Sequence, residues 1–313
     1  MVEPSVIDAE PEGNGHDQVP AARGSQAQTQ HLLLTLLGDY WYERDEYLPS
    51  AALVDLLAEF GVTAFSARAA LNRLTRRSLL RWEKRGRRTF YALTRRAAAV
   101  LTEGGRRIVS FGFDEPSWDG RWTFVAFSVP EARRPIRHAL RERLRWLGYA
   151  PLYDALWVSP RDRAREVREV LDELGLQTAT LVTGTPHAAS PSLGDPLAAW
   201  DLEGLRHSYE EFLETWRAWA ERTRAGTVTP AEALVARTEV MDVWRTFPGM
   251  DPELPGELLP PAWPRAEARR LFIEIYDGLG PLAEMRVRQL FARHDRELAD
   301  LATHHRTAQL VDS

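Results

Sequence analysis

The sequence predicts a multidomain α+β protein, and three observations predict it. Residues 27–112 carry helical apolar spacing that gives way to two short β-rich runs and then returns to a helix. Residues 113–190 read strand, helix, strand, strand, helix, strand. Residues 191–303 hold long stretches of helical periodicity. These patterns are those of an N-terminal winged helix-turn-helix, a central ferredoxin-like domain and a C-terminal mainly helical domain. At 313 residues the chain exceeds what one simple core organises, so two or three domains are expected.

Residues 1–26 lack periodic apolar positions and are expected to form a disordered tail. The opening run MVEPSVIDAEPEGNGHDQ has neither a basic n-region nor an apolar h-region, so no secretory signal is expected. In QTQHLLLTLLGDYWY, Leu33, Leu36, Leu37 and Tyr40 fall at helical spacing. PSAALVDLLAEFG then reads as a helix capped by Ser50, burying Leu53, Leu56, Leu57 and Phe60 and stopping at Gly61. A third helix runs from Thr63 to about Arg77. LLRWEKR and RTFYALT flank Arg85-Gly86-Arg87, where glycine supplies the turn, and Thr94 caps a closing helix through 97–101.

The central segment begins with the alternating strand WTFVAFSVP, followed by an Arg-rich amphipathic helix at 135–147. GYAPLY and ALWVSP are two short strands, 163–174 is a helix and QTATLVTG a last strand. TPHAASPSLGDP reads as a linker or surface loop. Three strong helices come next in HSYEEFLETWRAWAERTR, PAEALVARTEVMDVWRTF and PRAEARRLFIEIYDGLGPLAEMRVRQLFARH, with the Pro-dense DPELPGELLPPAW between the last two. Residues 304–313 read as a tail, with His304 and His305 a solvated pair.

Composition is that of an ordinary globular protein, 44% hydrophobic and 27% charged. No apolar run approaches the ~18 residues needed to span a bilayer, and a cytoplasmic protein without a membrane partner is expected. The absence of cysteine excludes a disulfide framework, a Cys-ligated zinc site and a thiol nucleophile. No phosphate-cradling glycine motif comes after a strand, and no metal or catalytic constellation is identifiable by spacing. A non-enzyme without a cofactor is therefore expected.

Charge is concentrated in one place. Residues 63–96 hold eleven basic side chains against one acid, Glu83, a local charge of +10 in a chain of net charge −5. Duplex DNA is the partner that such a patch expects, because each phosphate neutralised by Arg or Lys releases condensed counterions. On a helical wheel Ala67, Ala70, Leu71 and Leu74 share the side that must pack inward. Phe65, Arg68, Ala69, Asn72 and Arg76 share the other, with Arg73 and Arg77 on its flank. Arg grips guanine O6/N7 with two bonds and Asn grips adenine N6/N7, which makes Arg68 and Asn72 the candidates for base readout. Arg73 and Arg76 divide between base and phosphate. Thr63 and Ser66 lie at the helix N-terminus, suited to phosphate oxygens. Arg85, Arg87 and Arg88 on the wing suit the backbone or a minor groove. Phe65 has two readings, a thymine methyl contact or packing on the preceding helix. The Arg-rich helices at 133–145 and 161–168 differ in kind, since Glu142, Asp162, Glu166 and Glu169 are interleaved with or beside their arginines.

Together with the segments downstream of them, these residues resemble the PaaX family of transcriptional repressors over nearly the whole chain after the first ~26 residues. The resemblance rests on LLLTLLGDY, on VTAFSARAALNRLTRRSLL followed by GRRTFYALT, on DGRWTFVAFSVPEARRPIRHALRERLRWLGYAPLYDALWVSP, and on DPELPGELLPPAW. It implies a homodimeric repressor of aromatic-acid catabolism operons, bound to a double-stranded operator and released by an acyl-CoA such as phenylacetyl-CoA. For that effector the residues themselves offer aromatic side chains outside the DNA domain, among them Trp122, Trp146, Trp157, Trp200, Trp216, Trp219, Trp244 and Trp263. Arg237 and Arg245, eight apart on one helix with Trp244 beside them, could meet a CoA phosphate. The central unit also resembles the small nuclease-like subunit of CRISPR integration complexes. There the first strand would carry a metal-binding acid near its end; here Ser128 occupies that position and Glu131 lies beyond Pro130. One carboxylate does not organise Mg²⁺, so this unit reads as a dimerisation and transmission module. The alternatives are a metal-dependent nuclease acting through the central domain, and a regulator whose C-terminal domain binds a protein.

Overall fold

A computed structural model describes residues 26–41, 44–113, 117–186 and 195–311. The expected tail lies outside them apart from Gln26, as does most of the linker TPHAASPSLGDP. The described chain is a mixed α+β structure with two antiparallel sheets.

Helix α1 (Gln26–Trp41) buries Leu33, Leu36, Leu37 and Tyr40, the positions its periodicity selects. A two-residue strand, β1 (Leu48–Pro49), comes next, too short to mark itself in sequence. Ser50 is not the cap of helix α2 (Ser50–Ala58) but its first residue. The capping position is Pro49, in extended backbone at φ −61° and ψ 132°, which makes no side-chain cap bond. Helix α3 (Ala64–Arg76) begins after Gly61. Strands β2 (Leu80–Arg85) and β3 (Arg88–Leu93) then complete a sheet of order β1-β3-β2, before helix α4 (Arg95–Ser110). Thr94 caps α4 as expected, accepting from the Ala97 amide at 3.2 Å.

The central elements occur in the expected order: β4 (Trp122–Phe127), α5 (Arg134–Trp146), β5 (Ala150–Tyr153), β6 (Leu156–Ser159), α6 (Ala164–Glu173) and β7 (Ala179–Gly184). Their sheet has order β5-β6-β4-β7 with every pairing antiparallel. Val125, Phe127 and Trp157 face Leu140, Leu144, Val167 and Leu171 in a core of their own.

The remaining helices are α7 (Leu202–Arg224), α8 (Pro230–Trp244), α9 (Phe247–Met250), α10 (Arg265–Phe291), α11 (Arg296–Asp300) and α12 (Thr307–Val311). Asp201 caps α7, and Thr229 with Glu232 forms a reciprocal capping box on α8. Among the described residues, no helix is long and apolar enough to cross a membrane.

These C-terminal helices do not form a core separate from the N-terminal elements. One contiguous cluster joins Leu33, Leu53 and Leu71 to Tyr209, Trp244, Phe272 and Phe291. At its centre lies a polar knot. Arg237 of α8 is fully buried and 3.2 Å from the Asp39 carboxylate of α1. It donates to the Tyr276 carbonyl (3.1 Å), the Tyr40 hydroxyl (3.3 Å) and the His305 carbonyl (2.9 Å), while its guanidinium stacks 3.8 Å from the centre of the Tyr276 ring. The Tyr276 hydroxyl donates to Asp39 at 2.7 Å. Burial alone would lower the guanidinium pKa. The Tyr276, Tyr40 and Asp39 groups around it more than offset that and hold it above its usual range. Burial likewise pushes the Tyr40 phenol up to about 12. The expectation that Arg237 meets a ligand phosphate is thereby corrected: its donors are spent on the interior.

The last described residues are also packed, where a solvated tail was expected. His304 pairs with Glu284 at 2.5 Å, its ring lying against Gly280, where a Cβ would collide with it. Asp277 of α10 accepts from both the amide and the hydroxyl of Thr307, at 2.9 Å each, and so starts α12.

Removing one partner of a buried pair leaves an uncompensated charge, which costs about 3–5 kcal/mol. Arg237→Met is expected to lower the unfolding free energy by about that much, read from urea denaturation curves. Asp39→Asn combined with Arg237→Met should lose less than the sum of the two single changes. Additive losses would show that the two groups do not act as a pair.

Candidate nucleic-acid interface

Helix α3 is anchored before it is exposed. Ala67, Ala70, Leu71 and Leu74 are buried against α1 and α2, and burying each leucine contributes about 1.5–3 kcal/mol. Thr63 starts the helix: its hydroxyl accepts from the Ser66 amide at 3.2 Å and donates to the Ser66 hydroxyl at 3.0 Å. The opposite side is open. Arg68, Asn72 and Arg76 are exposed and Arg73 is half-buried. Phe65 is 81% exposed, so of its two readings the structure rejects packing on the preceding helix.

The hairpin stands beside it. Arg85 pairs with Arg88 across a two-residue turn in which Gly86 takes φ +60°, the left-handed value that a type II′ hairpin reserves for glycine. Arg85 is held by Glu83 and lies 4.8 Å over the Phe90 ring, whereas Arg87 and Arg88 project into solvent. Arg77 donates to Gln30 at 3.4 Å, and Arg81 is tied to Asp45 at 3.0 Å and to the Leu93 carbonyl. The other cations of the patch, Arg68, Arg73, Arg76, Lys84, Arg87, Arg88, Arg95 and Arg96, have no side-chain partner among the described residues.

The Arg-rich helices of the central unit contrast with this. Arg137 pairs with Glu131, Arg143 with Glu173, Arg163 with Glu166 and Arg165 with Glu169. Part of their charge is paired locally, whereas of the eleven cations at 63–96 only Arg81 and Arg85 have a carboxylate partner among the described residues. The pairing also engages Glu131, the acid considered as a metal ligand, and Ser128 is an exposed residue at the end of β4. No group of three or more His, Cys, Asp or Glu side chains that could hold a metal ion occurs among the described residues.

Sequence reasoning missed one residue of this face. A groove of about 550 Å³ separates α3 from the hairpin, lined by Asn72, Thr75, Arg76, Trp82, Thr89 and Tyr91. Trp82 is 55% exposed at its wall. The signal for it lay in the period-two alternation of β2: Leu80, Trp82 and Lys84 share a face, and the core that takes Leu80 ends before Trp82.

The residues proposed for an effector do not converge. Trp244 is fully buried, stacked 4.9 Å from Phe272, with its indole N–H donating to the Ile108 carbonyl. Arg245 pairs with Asp242 at 2.7 Å on the outer side of α8. Eight residues turn a helix through about 80° beyond two full turns, enough to send Arg237 inward and Arg245 outward. Among the other tryptophans Trp157 and Trp216 are buried core residues, and Trp146 is exposed.

Comparison with known proteins fits this arrangement segment by segment. Residues 28–97 match the family described as PaaX-like protein. Residues 115–193 match the PaaX protein central Cas2-like domain, and residues 200–289 the PaaX-like protein C-terminal domain. The transcriptional repressor PaaX of Escherichia coli (strain K12) is 26% identical over 260 residues, 80% of each chain. The uncharacterized protein Rv0674 from Mycobacterium tuberculosis has a solved structure that superposes with a TM-score of 0.53 at 21% identity. It covers 85% of this chain and 99% of its own, a likeness of fold. Three successive matches in one order, spanning the helix and hairpin of the basic face and both segments C-terminal to them, place the chain in the PaaX family.

Proposed function

We propose that this protein is a DNA-binding transcriptional repressor that controls an aromatic-acid catabolic operon of the phenylacetate type. The observation that carries the reading is the row of unpaired cations on α3 and the β2–β3 hairpin. The elements α1 to β3 are used as a winged helix-turn-helix, with α3 in the major groove and Gly86 at the tip of the wing. Arg68 and Asn72 read base edges, and Phe65, exposed at the N-terminal end of α3, meets an apolar base surface such as a thymine methyl. Arg73, Arg76, Arg77, Arg87 and Arg88 hold phosphates, with Thr63 and Ser66 at the positive end of the helix. Arg85, held by Glu83, shapes the wing from within.

The central elements run β-α-β-β-α-β with an all-antiparallel sheet, which supports reading them as a ferredoxin-like domain, and we propose that this unit brings two copies together. A two-fold dimer presents two recognition helices to the halves of an inverted repeat. Release is by an acyl-CoA with different affinity for the two states of the dimer. The protein acts in the cytoplasm, as a regulator and not as an enzyme.

Arg73→Glu with Arg76→Glu is expected to abolish binding to DNA from the protein's own promoter region in a gel-shift assay, while sedimentation still reports a dimer. Undiminished binding would remove α3 from the interface. Arg87→Ala should weaken binding to all sequences alike and reduce the slope of log K against log salt by about 1. Gly86→Val forces a β-branched residue to positive φ, a genuine outlier for such a side chain. It should disorder the wing and produce the same sequence-independent loss; a variant that binds as the wild type does would exclude the wing.

A further inference from the structure

A second cationic site lies away from the DNA face. The end of α4, the turn between β6 and α6, and the stretch after α9 meet around a cleft of about 460 Å³ lined by Arg107, Ser110, Phe111, Arg161, Arg163 and Glu253. That volume lies in the range of small-molecule sites. Three guanidinium groups face one carboxylate, and the carboxylate is occupied: a Glu253 oxygen accepts from the Gly112 amide at 3.2 Å. Arg107 meets only the Pro248 carbonyl, at 3.4 Å, with its guanidinium over the Trp146 ring at 4.9 Å. Arg161 is half-buried and donates to the Glu253 carbonyl at 2.5 Å. Neither has a carboxylate within ion-pair distance among the described residues, whereas Arg163 is paired with Glu166. Burial lowers the Arg161 pKa. Glu253 partly offsets this, and Arg163 and Arg265 lower it further, so the cation is not fully compensated.

The cleft is built, and the string DPELPGELLPPAW builds it. Asp251 is buried and gripped by both prongs of Arg265, at 2.8 and 3.0 Å, and by the Tyr209 hydroxyl at 2.6 Å. The same carboxylate accepts from the Glu253 amide at 2.6 Å. Glu253 is thereby held at φ +51°, a conformation that costs a non-glycine residue about 1–3 kcal/mol and concentrates at ligand sites and switch regions. Beneath the cleft Phe111 is buried against Trp244, with ring centres 5.7 Å apart, a rigid apolar floor.

We infer that this cleft binds the phosphates of a small-molecule ligand, with Arg107 and Arg161 holding the anion above the Phe111 floor. Arginine forks suit phosphate oxygens, and a phosphate supplies the counterion that the cleft lacks. The site gathers segments from the central and C-terminal matched regions and from the stretch that joins the first region to the second, so an occupant ties them together. The identity of the ligand's non-phosphate part rests on the proposed acyl-CoA effector; the phosphate chemistry rests on the cleft.

Calorimetric titration of the full chain with phenylacetyl-CoA, coenzyme A and inorganic pyrophosphate tests this. Wild-type protein should bind all three, with pyrophosphate competing against the other two. Arg107→Glu and Arg161→Gln should each weaken binding at least tenfold, while Arg245→Gln leaves it unchanged and DNA binding without ligand is retained. Arg107 is exposed, so its variant tests the site even if Arg161→Gln fails to fold. Phenylacetyl-CoA binding untouched by Arg107→Glu would overturn the cleft and leave the effector reading standing. Pyrophosphate and coenzyme A bound through Arg107, with phenylacetyl-CoA no tighter than coenzyme A, would support the cleft and defeat the effector reading. No saturable binding of any probe would overturn the cleft.

Discussion

The Asp39–Arg237 pair fixes how the rest of this molecule is assembled. A guanidinium in the interior is tolerable only with its charge paired and its donors bonded. The groups that satisfy Arg237 come from three distant parts of the chain. Asp39 and Tyr40 belong to α1, Tyr276 to α10 and His305 to the C-terminal stretch. The first helix of the N-terminal unit therefore docks on the C-terminal helices in one register, because any slippage strands a buried charge. Arg286 with Glu59 and His294 with Asp55 tie α10 and the turn after it to α2 and its end, nearer the surface. The N-terminal elements are thus not a bead on a string but one wall of a shared core.

That rigid backing explains how an unpaired basic face is tolerated. Like charges on α3 and the hairpin repel, and little in their own unit neutralises them. The cost is borne by the apolar side of the same helix and by the core behind it. Natural sequences commonly give up stability at functional surfaces in this way. On α5 and α6, where arginine is as frequent, the chain places glutamates within reach of several of them. Arginine content alone does not separate the two cases. Local pairing does.

What could be read from the sequence was local. The spacing of Leu33, Leu36 and Leu37, the division of α3 into two faces, the Thr94 cap and the glycine at the hairpin tip each depend on residues a few positions apart. What could not be read depends on distant partners. Arg237 looks like a surface arginine until Asp39, almost two hundred positions earlier, is placed beside it. β1 exists only because β3 pairs with it, and that pairing carries the chain through Pro49 so that the helix starts at Ser50. His304 reads as tail until Gly280 leaves room for its ring. Of the interface, charge and faces were legible; the exposure of Phe65 and the place of Trp82 needed the packing around them. The cleft at Arg107 and Arg161 was invisible for the same reason, since its walls lie in three separated segments.

The geometry also gives the two cationic sites a physical connection. Helix α4 begins at Thr94, whose hydroxyl lies within 2.9 Å of the Ser78 carbonyl and 3.3 Å of the Leu79 carbonyl, at the junction of α3 and the hairpin. It ends at Arg107 and Ser110 on the cleft. Sixteen residues at 1.5 Å each make a rod of about 24 Å between the base of the hairpin and the Arg107 cleft. Along it lie Gly104 and Gly105, with nothing within 4 Å of where either Cβ would be. Crowding does not require them, and alanine at each would favour the helix by about 1 kcal/mol. Two glycines kept without a packing reason lower the cost of bending the rod there. A ligand bound between Arg107 and Arg161 as proposed would act on one arm of that rod, and the other arm carries the hairpin. For the two sites to be coupled as proposed, α4 is the continuous element that joins them, beside a core in which the Asp39–Arg237 pair is buried.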